Sequence, residues 1–224
     1  MGDYPGTSVM HATSSTPAPQ NLRPFPASRL ADAELVALVR TGREDAAGAI
    51  WDRYSPMVRR IVRRTLNLGP ETEDLVQEVF LRFVDTLPRL RDPHALQSFL
   101  YGIASRVAIS ELRRRKVRRA VGLTASGVLP DVPVAAAEHE AREVIGALHR
   151  VLDKLRPRER VVFVLHDVEG LEFADVASAM RLSESTVKRA AASARRRLAI
   201  FAGGEPALHG YLHEHGVRRL GGSA

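Results

Sequence analysis

The chain has 224 residues, with 33 Lys+Arg against 26 Asp+Glu, a formal net charge of +7 at pH 7, 45% hydrophobic and 26% charged residues. That balance suits a globular chain with length for one or two cores, and it excludes collagen-like and wholly disordered classes. Zero cysteines exclude disulfides, thiol catalysis and a Cys-ligated zinc site. No apolar run reaches the ~18–20 residues of a spanning helix, and the start lacks the basic stretch and apolar core of a signal peptide. No membrane insertion and a cytoplasmic location are therefore expected.

Residues 1–27 hold five prolines among Ser, Thr and Ala without apolar periodicity, and are expected to form a disordered extension. The helical period begins at Leu30. Leu30, Leu35, Leu38 and Val39 predict a first amphipathic helix, with Asp32 as its N-cap. A second is predicted over about 46–66, with Ile50, Tyr54, Met57, Val58, Ile61, Val62 and Thr65 on one side and Asn67 to Pro70 as its stop. A third runs over about 71–87. It turns 75, 76, 79, 80 and 83 inward and leaves Asp74, Gln77, Glu78, Arg82 and Asp85 along the other side. A fourth covers about 95–119. Between Arg106 and Arg119 it carries seven basic residues against one acid, Glu111, which fits a phosphate-backbone groove.

Residues 120–139 are rich in Gly, Pro and small residues and read as a flexible linker. A second helical block follows, over about 140–201. Val161 to Leu165, the turn Glu169-Gly170-Leu171, and Phe173, Val176, Ala177 and Met180 make two short helices at a tight turn. Ser183 is a good N-cap for the helix that follows. That arrangement is the helix-turn-helix pattern, with Glu184, Ser185, Thr186, Lys188 and Arg189 on the outward face where base edges are read. Residues 202–224 form a Gly- and His-containing tail.

DLVQEVFLRF (74–83) resembles the polymerase-docking helix of region 2 in bacterial sigma factors. SFLYGIASRVAISELRRR (98–115) resembles the helix of that region which opens and reads the minus-10 element, and residues 155–180 with SESTVKR (183–189) resemble region 4, which reads minus-35. In order, over about residues 30–201, the three motifs resemble the extracytoplasmic-function group of the sigma-70 family. The resemblance implies an all-α fold of two small helical domains, 28–119 and 140–201, on a flexible linker. It further implies core RNA polymerase, promoter DNA and an anti-sigma factor as partners. Asp74, Gln77, Glu78 and Arg82 would bind polymerase. Arg106, Ser110, Arg113, Arg114, Arg115 and Lys116 would serve minus-10, and Glu184, Ser185, Thr186, Lys188 and Arg189 would serve minus-35. The loop from about Pro88 to Gln97 lies where the family captures a flipped base, and the acidic linker lies where it threads the polymerase channel. The chain departs from the family at Phe99 (usually Trp), at Gly102 and Ser105 (commonly basic), and at Ala190 and Ser193 (often Arg).

No phosphate-cradling glycine loop and no nucleophile-base pair stands out, so no enzyme activity and no cofactor are expected. His209, His213 and His215 lack a framework of fixed ligands, and no metal site is assigned to them. His166 is read as structural. RERVVFVL with a TVK-containing helix also resembles response-regulator activators. That alternative needs a receiver domain with a parallel sheet, and residues 30–119 show no strand pattern.

Overall fold

The computed structural model describes residues 29–67, 71–121 and 136–208, the backbone alone for 136–142. The expected extension, most of the linker and the tail histidines lie outside these residues. Every regular element described is helical. The first block is α1 (Asp32–Arg40), α2 (Glu44–Leu66), α3 (Thr72–Thr86) and α4 (Leu96–Ala120). The second is α5 (Ala136–Asp153), α6 (Pro157–Phe163), α7 (Phe173–Met180) and α8 (Glu184–Ala202).

Asp32 is not the cap of α1. Ala31 occupies that place in extended geometry, and its amide donates to the Glu34 carboxylate at 2.8 Å. Asp32 turns instead to α2, where Arg53 donates to it at 2.6 Å and the Tyr54 hydroxyl donates to its second oxygen. Burial, and then the Asp32 carboxylate, push the Tyr54 phenol well above its ordinary range. α2 ends as expected, with Asn67 left-handed (φ 52°) and its amide on the Arg63 carbonyl at 2.9 Å.

The predicted inner face of α2 is buried throughout, and Val76, Val79, Phe80 and Phe83 of α3 close over it. A run of rings continues that core: Trp51 to Phe80 at 4.6 Å, then Phe83 and Phe99 at 6.4 Å steps. Offset and edge-on rings of this kind add about 0.5–1.5 kcal/mol per pair beyond area burial. Phe99 thus fills an aromatic place where the family commonly has Trp.

In the second block, Ala147, Val151, Leu152 and Leu155 pack on Ala194, Leu198 and Ala202. α6 continues into a wide turn over Val164–Val168, and Gly170 takes φ +77°, which only a residue without a side chain adopts cheaply. His166 lies 2.7 Å from the Leu171 carbonyl through Nδ1 and stacks on Phe173 at 3.8 Å. It is a structural histidine.

The two blocks pack against each other. Val161, Val162, Leu165, Val176 and Ala177 join the same buried cluster as α2–α4. α7 lies along α4 so closely that a Cβ on Gly102 would stand 2.4 Å from the Ala179 carbonyl oxygen. Glu169, its side chain 3% exposed, accepts from Arg60 and Arg64 of α2 at 2.7 Å each. Two helical blocks were legible in the sequence; their mutual burial was not.

Candidate polymerase and promoter-DNA interface

The outer side of α3 presents Asp74, Gln77 and Arg82 exposed and Glu78 half-buried. Arg82 donates to Glu78 at 2.6 Å, an i,i+4 pair. Leu81 is 68% exposed on that same side, four residues from Gln77 and three from Glu78, with Val84 open next to it. Sequence reasoning noted the polar stripe and missed the leucine in it. An isolated exposed apolar residue is ordinary; one inside a charged stripe makes the stripe amphipathic, and that is the mixture found at interfaces.

The basic end of α4 is organised by a buried acid. Glu111 is 7% exposed and gathers Arg114 (3.2 Å), Arg115 (3.0 Å) and Arg118 (2.8 Å). Arg115 also donates to the Leu66 carbonyl at 2.9 Å and reaches Glu71 at 3.4 Å, so its guanidinium ties α4 to the end of α2. Arg113, Arg114 and Lys116 stay open to solvent, and so does Ser110. Arg106 sits one turn beyond Gly102, alongside α7. Loss of water, followed by the charges of Arg181 and Arg82, holds its guanidinium below the usual arginine range. Arg106 nonetheless stays exposed, so every α4 residue expected at minus-10 except the half-buried Arg115 is open to solvent, while Gly102 and Ser105 on the adjoining face are buried.

The start of α8 is built as predicted. The Ser183 hydroxyl accepts from the Thr186 amide at 3.3 Å and meets the Ser185 and Thr186 hydroxyls at 3.1 and 2.7 Å. Val187 and Ala191 are buried, so Glu184, Ser185, Lys188 and Arg189 face outward and Thr186 half outward. Lys188 pairs with Glu184 at 2.6 Å and lies 5.7 Å from the Phe173 ring; Arg189 donates to Thr186 at 3.4 Å. Later in α8, Arg195 and Arg197 are engaged by Asp167 (2.6 Å) and Glu159 (3.7 Å). The loop after α3 makes two short turns, Leu87–Arg89 and Pro93–Ala95, the second capped by Asp92 on the His94 amide at 2.9 Å.

Two family models match in the order that these helices stand: sigma-70 region 2 over residues 50–118 and sigma-70 region 4 over residues 145–198. The ECF RNA polymerase sigma factor SigM of Mycobacterium tuberculosis is 30% identical over 173 residues, which cover 77% of this chain and 85% of SigM. The chain belongs to the ECF RNA polymerase sigma factors. The ferric citrate uptake sigma factor FecI of Escherichia coli is 30% identical over 157 residues, covering 68% of this chain and 88% of FecI. In three dimensions the fold resembles CnrH, solved in complex with the cytosolic domain of CnrY, with a TM-score of 0.54 and 22% identity over 78% of this chain and 98% of CnrH. This sigma factor binds core RNA polymerase and directs it to promoter DNA, as a transcription initiation factor in a non-enzymatic family. The response-regulator alternative lacks support, because the described part of residues 30–119 is helical where a receiver domain needs a parallel sheet. No described helix is long and apolar enough to cross a membrane.

Proposed function

We propose that the sigma factor divides its work between residues 28–119, which dock on polymerase and handle minus-10, and residues 140–201, which read minus-35. The segment 120–139 would serve as the connection between them. Asp74, Gln77, Glu78 and Arg82, with Leu81 among them, form the docking surface. Arg106, Ser110, Arg113, Arg114 and Lys116 track the opened minus-10 strand, while Arg115 mainly fixes the helix that carries them. The short turns from Pro88 to Gln97 hold a base flipped out of the stack, which offsets part of the cost of opening. Glu184, Ser185, Thr186, Lys188 and Arg189 enter the major groove at minus-35.

The observation that carries this reading is the start of α8. A capped helix on a helix-turn-helix presents four of its first six residues outward while its apolar positions are buried. The chain performs no chemistry of its own; RNA synthesis stays with polymerase. CnrH was solved in complex with the cytosolic domain of CnrY, and the sigma factor RpoE of Bartonella quintana with the anti-sigma factor NepR. An anti-sigma factor would hold this sigma factor inactive by covering the α3 stripe.

The test adds the purified protein to core polymerase on a mixture of promoter fragments. Selective initiation is expected, abolished by Lys188→Ala with Arg189→Ala at the minus-35 end. Initiation without selectivity, or selectivity that survives both substitutions, would reject the assignment of α8.

A further inference from the structure

Between the end of α4 and the α5–α6 junction lies a recess of about 520 Å³. Six cationic side chains line it: Lys116 and Arg119 from α4, Lys154 and Arg156 from the junction, Arg160 from α6 and Arg197 from α8. One carboxylate, Asp153, faces them. Arg160 is the unusual member. It is 1% exposed, and only its Nη1 is engaged, on Asp153; its Nε and Nη2 have no hydrogen-bond partner among the described residues. Asp153 is shared further with Arg119 at 3.2 Å.

A buried guanidinium with unpaired N–H groups is costly, and arginine does not relieve that cost by losing its proton as a buried lysine does. Loss of water, together with the Arg115 and Arg119 charges nearby, disfavours the charged form further. Asp153, shared by Arg119 and Arg160, and Glu159, 3.7 Å from Arg197, do not balance six cations. Several acceptor oxygens on a compact, multiply charged anion would do so, and would accept from the two open arms of the guanidinium fork. The recess lies within the usual 300–1,000 Å³ of small-ligand sites, with Arg160 buried at its floor and Lys116, Arg119, Lys154 and Arg156 exposed around it. Leu112, Leu155 and Pro157 add an apolar wall.

We propose that this recess binds a free phosphorylated anion carrying two or more phosphoryl groups, held by Arg160 and the surrounding cations. Its walls come from both helical blocks, so the bound anion fastens them together. The consequence for transcription rests on the proposed division of promoter contacts: a fastened chain holds the two promoter-contacting blocks at one spacing, and by linkage the anion opposes promoter engagement to the extent that engagement needs them apart.

The experiment is a calorimetric titration of the full chain with inorganic pyrophosphate at matched ionic strength, with sodium sulfate and an Asp/Glu-rich peptide in parallel arms. Saturable one-to-one binding of pyrophosphate is expected, at least tenfold tighter than sulfate. Lys154→Glu, on an exposed rim position, should weaken it tenfold or more while leaving thermal unfolding unchanged. Arg160→Lys, which keeps the charge and loses the fork, should weaken it as well. Absence of saturable binding overturns the proposal, and so does binding indifferent to Lys154→Glu. Binding of the acidic peptide with none of pyrophosphate would make the recess a protein-docking site and overturn the assignment of a free phosphoanion. None of these outcomes depends on promoter activity, so failure here leaves the minus-35 test standing.

Discussion

Glu111 shows how much one residue can organise. Seven basic side chains on a helix end would repel one another and fray, yet three of them converge on this one buried carboxylate. Hydrogen bonds to charged groups contribute about 1.5–3 kcal/mol, so Glu111→Ala should cost roughly 2 kcal/mol in urea unfolding. It should also release Arg115 from its link between α4 and the end of α2. An unchanged unfolding midpoint would show the cluster to be a surface accident. His149 gives a second handle, through pH. Burial first, and then the Arg160 charge, hold its imidazole below the ordinary 6.5, against the opposing pull of Asp153. Between the folded value and 6.5 the unfolded chain binds more protons than the folded one, so stability rises with pH across that window and falls as pH drops through it. Asp45, Glu73 and Glu205 are held below their ordinary ranges by arginines, and their contributions are lost only at more acid pH. The melting temperature should therefore decline between pH 7 and 5, and His149→Gln should flatten that decline. An equal slope in both proteins would assign it to other groups.

At the scale of elements, α3 separates folding from binding most cleanly. Val76, Val79, Phe80 and Phe83 hold the core, and the opposite face has no fold role beyond a Glu78–Arg82 pair, which contributes about 0.3–0.5 kcal/mol at an exposed site. Asp74→Ala, Glu78→Ala and Leu81→Ala should each melt normally, within about 0.5 kcal/mol of the parent. If the stripe docks on polymerase, its anchor residues should each lose about 2 kcal/mol of binding, or thirtyfold in affinity. Normal melting with normal affinity would return the stripe to a solvated face. This helix was legible because a two-faced element writes its period into the sequence. Ser183 was legible as a cap for a similar reason, since a hydroxyl one residue before a helical period has few other uses. Asp32 misled because an acidic residue at a helix start suits both the cap and the first turn. Only the Arg53 and Tyr54 partners, more than twenty residues away, decide between them. Leu81 gave no signal because an exposed leucine and a buried one look identical in a sequence.

At the scale of the whole molecule, what escaped the sequence was the burial of one block against the other. Val161, Val162 and Leu165 read equally well as the private core of a helix-turn-helix, and Glu169 as a turn residue. Gly102 read only as a departure from the family's basic residue, whereas the structure shows a close approach of backbones that a side chain would prevent. Its substitution is a test in which the sign is informative. Alanine in a helix interior is favoured over glycine by about 0.5–1 kcal/mol, so α4 by itself should gain from Gly102→Ala. Against α7 the new methyl would meet a backbone carbonyl at 2.4 Å, and a backbone cannot swing aside as a long side chain does. The substitution should thus stabilise the open chain and penalise the closed one. Because the protein has no cysteine, Glu44→Cys and Ile200→Cys, both exposed, would place a single dye on each block. Energy transfer between them should fall in Gly102→Ala, while helicity by circular dichroism holds or rises. Promoter duplex binding by the free protein should rise at the same time, as the two blocks become free to take the spacing that a promoter requires. Unchanged transfer would mean that α7 slides to accommodate the methyl. A fall in helicity would mean that the contact stabilises α4 itself, and the closed arrangement would then be a requirement of the fold, with no role in restraining promoter contact.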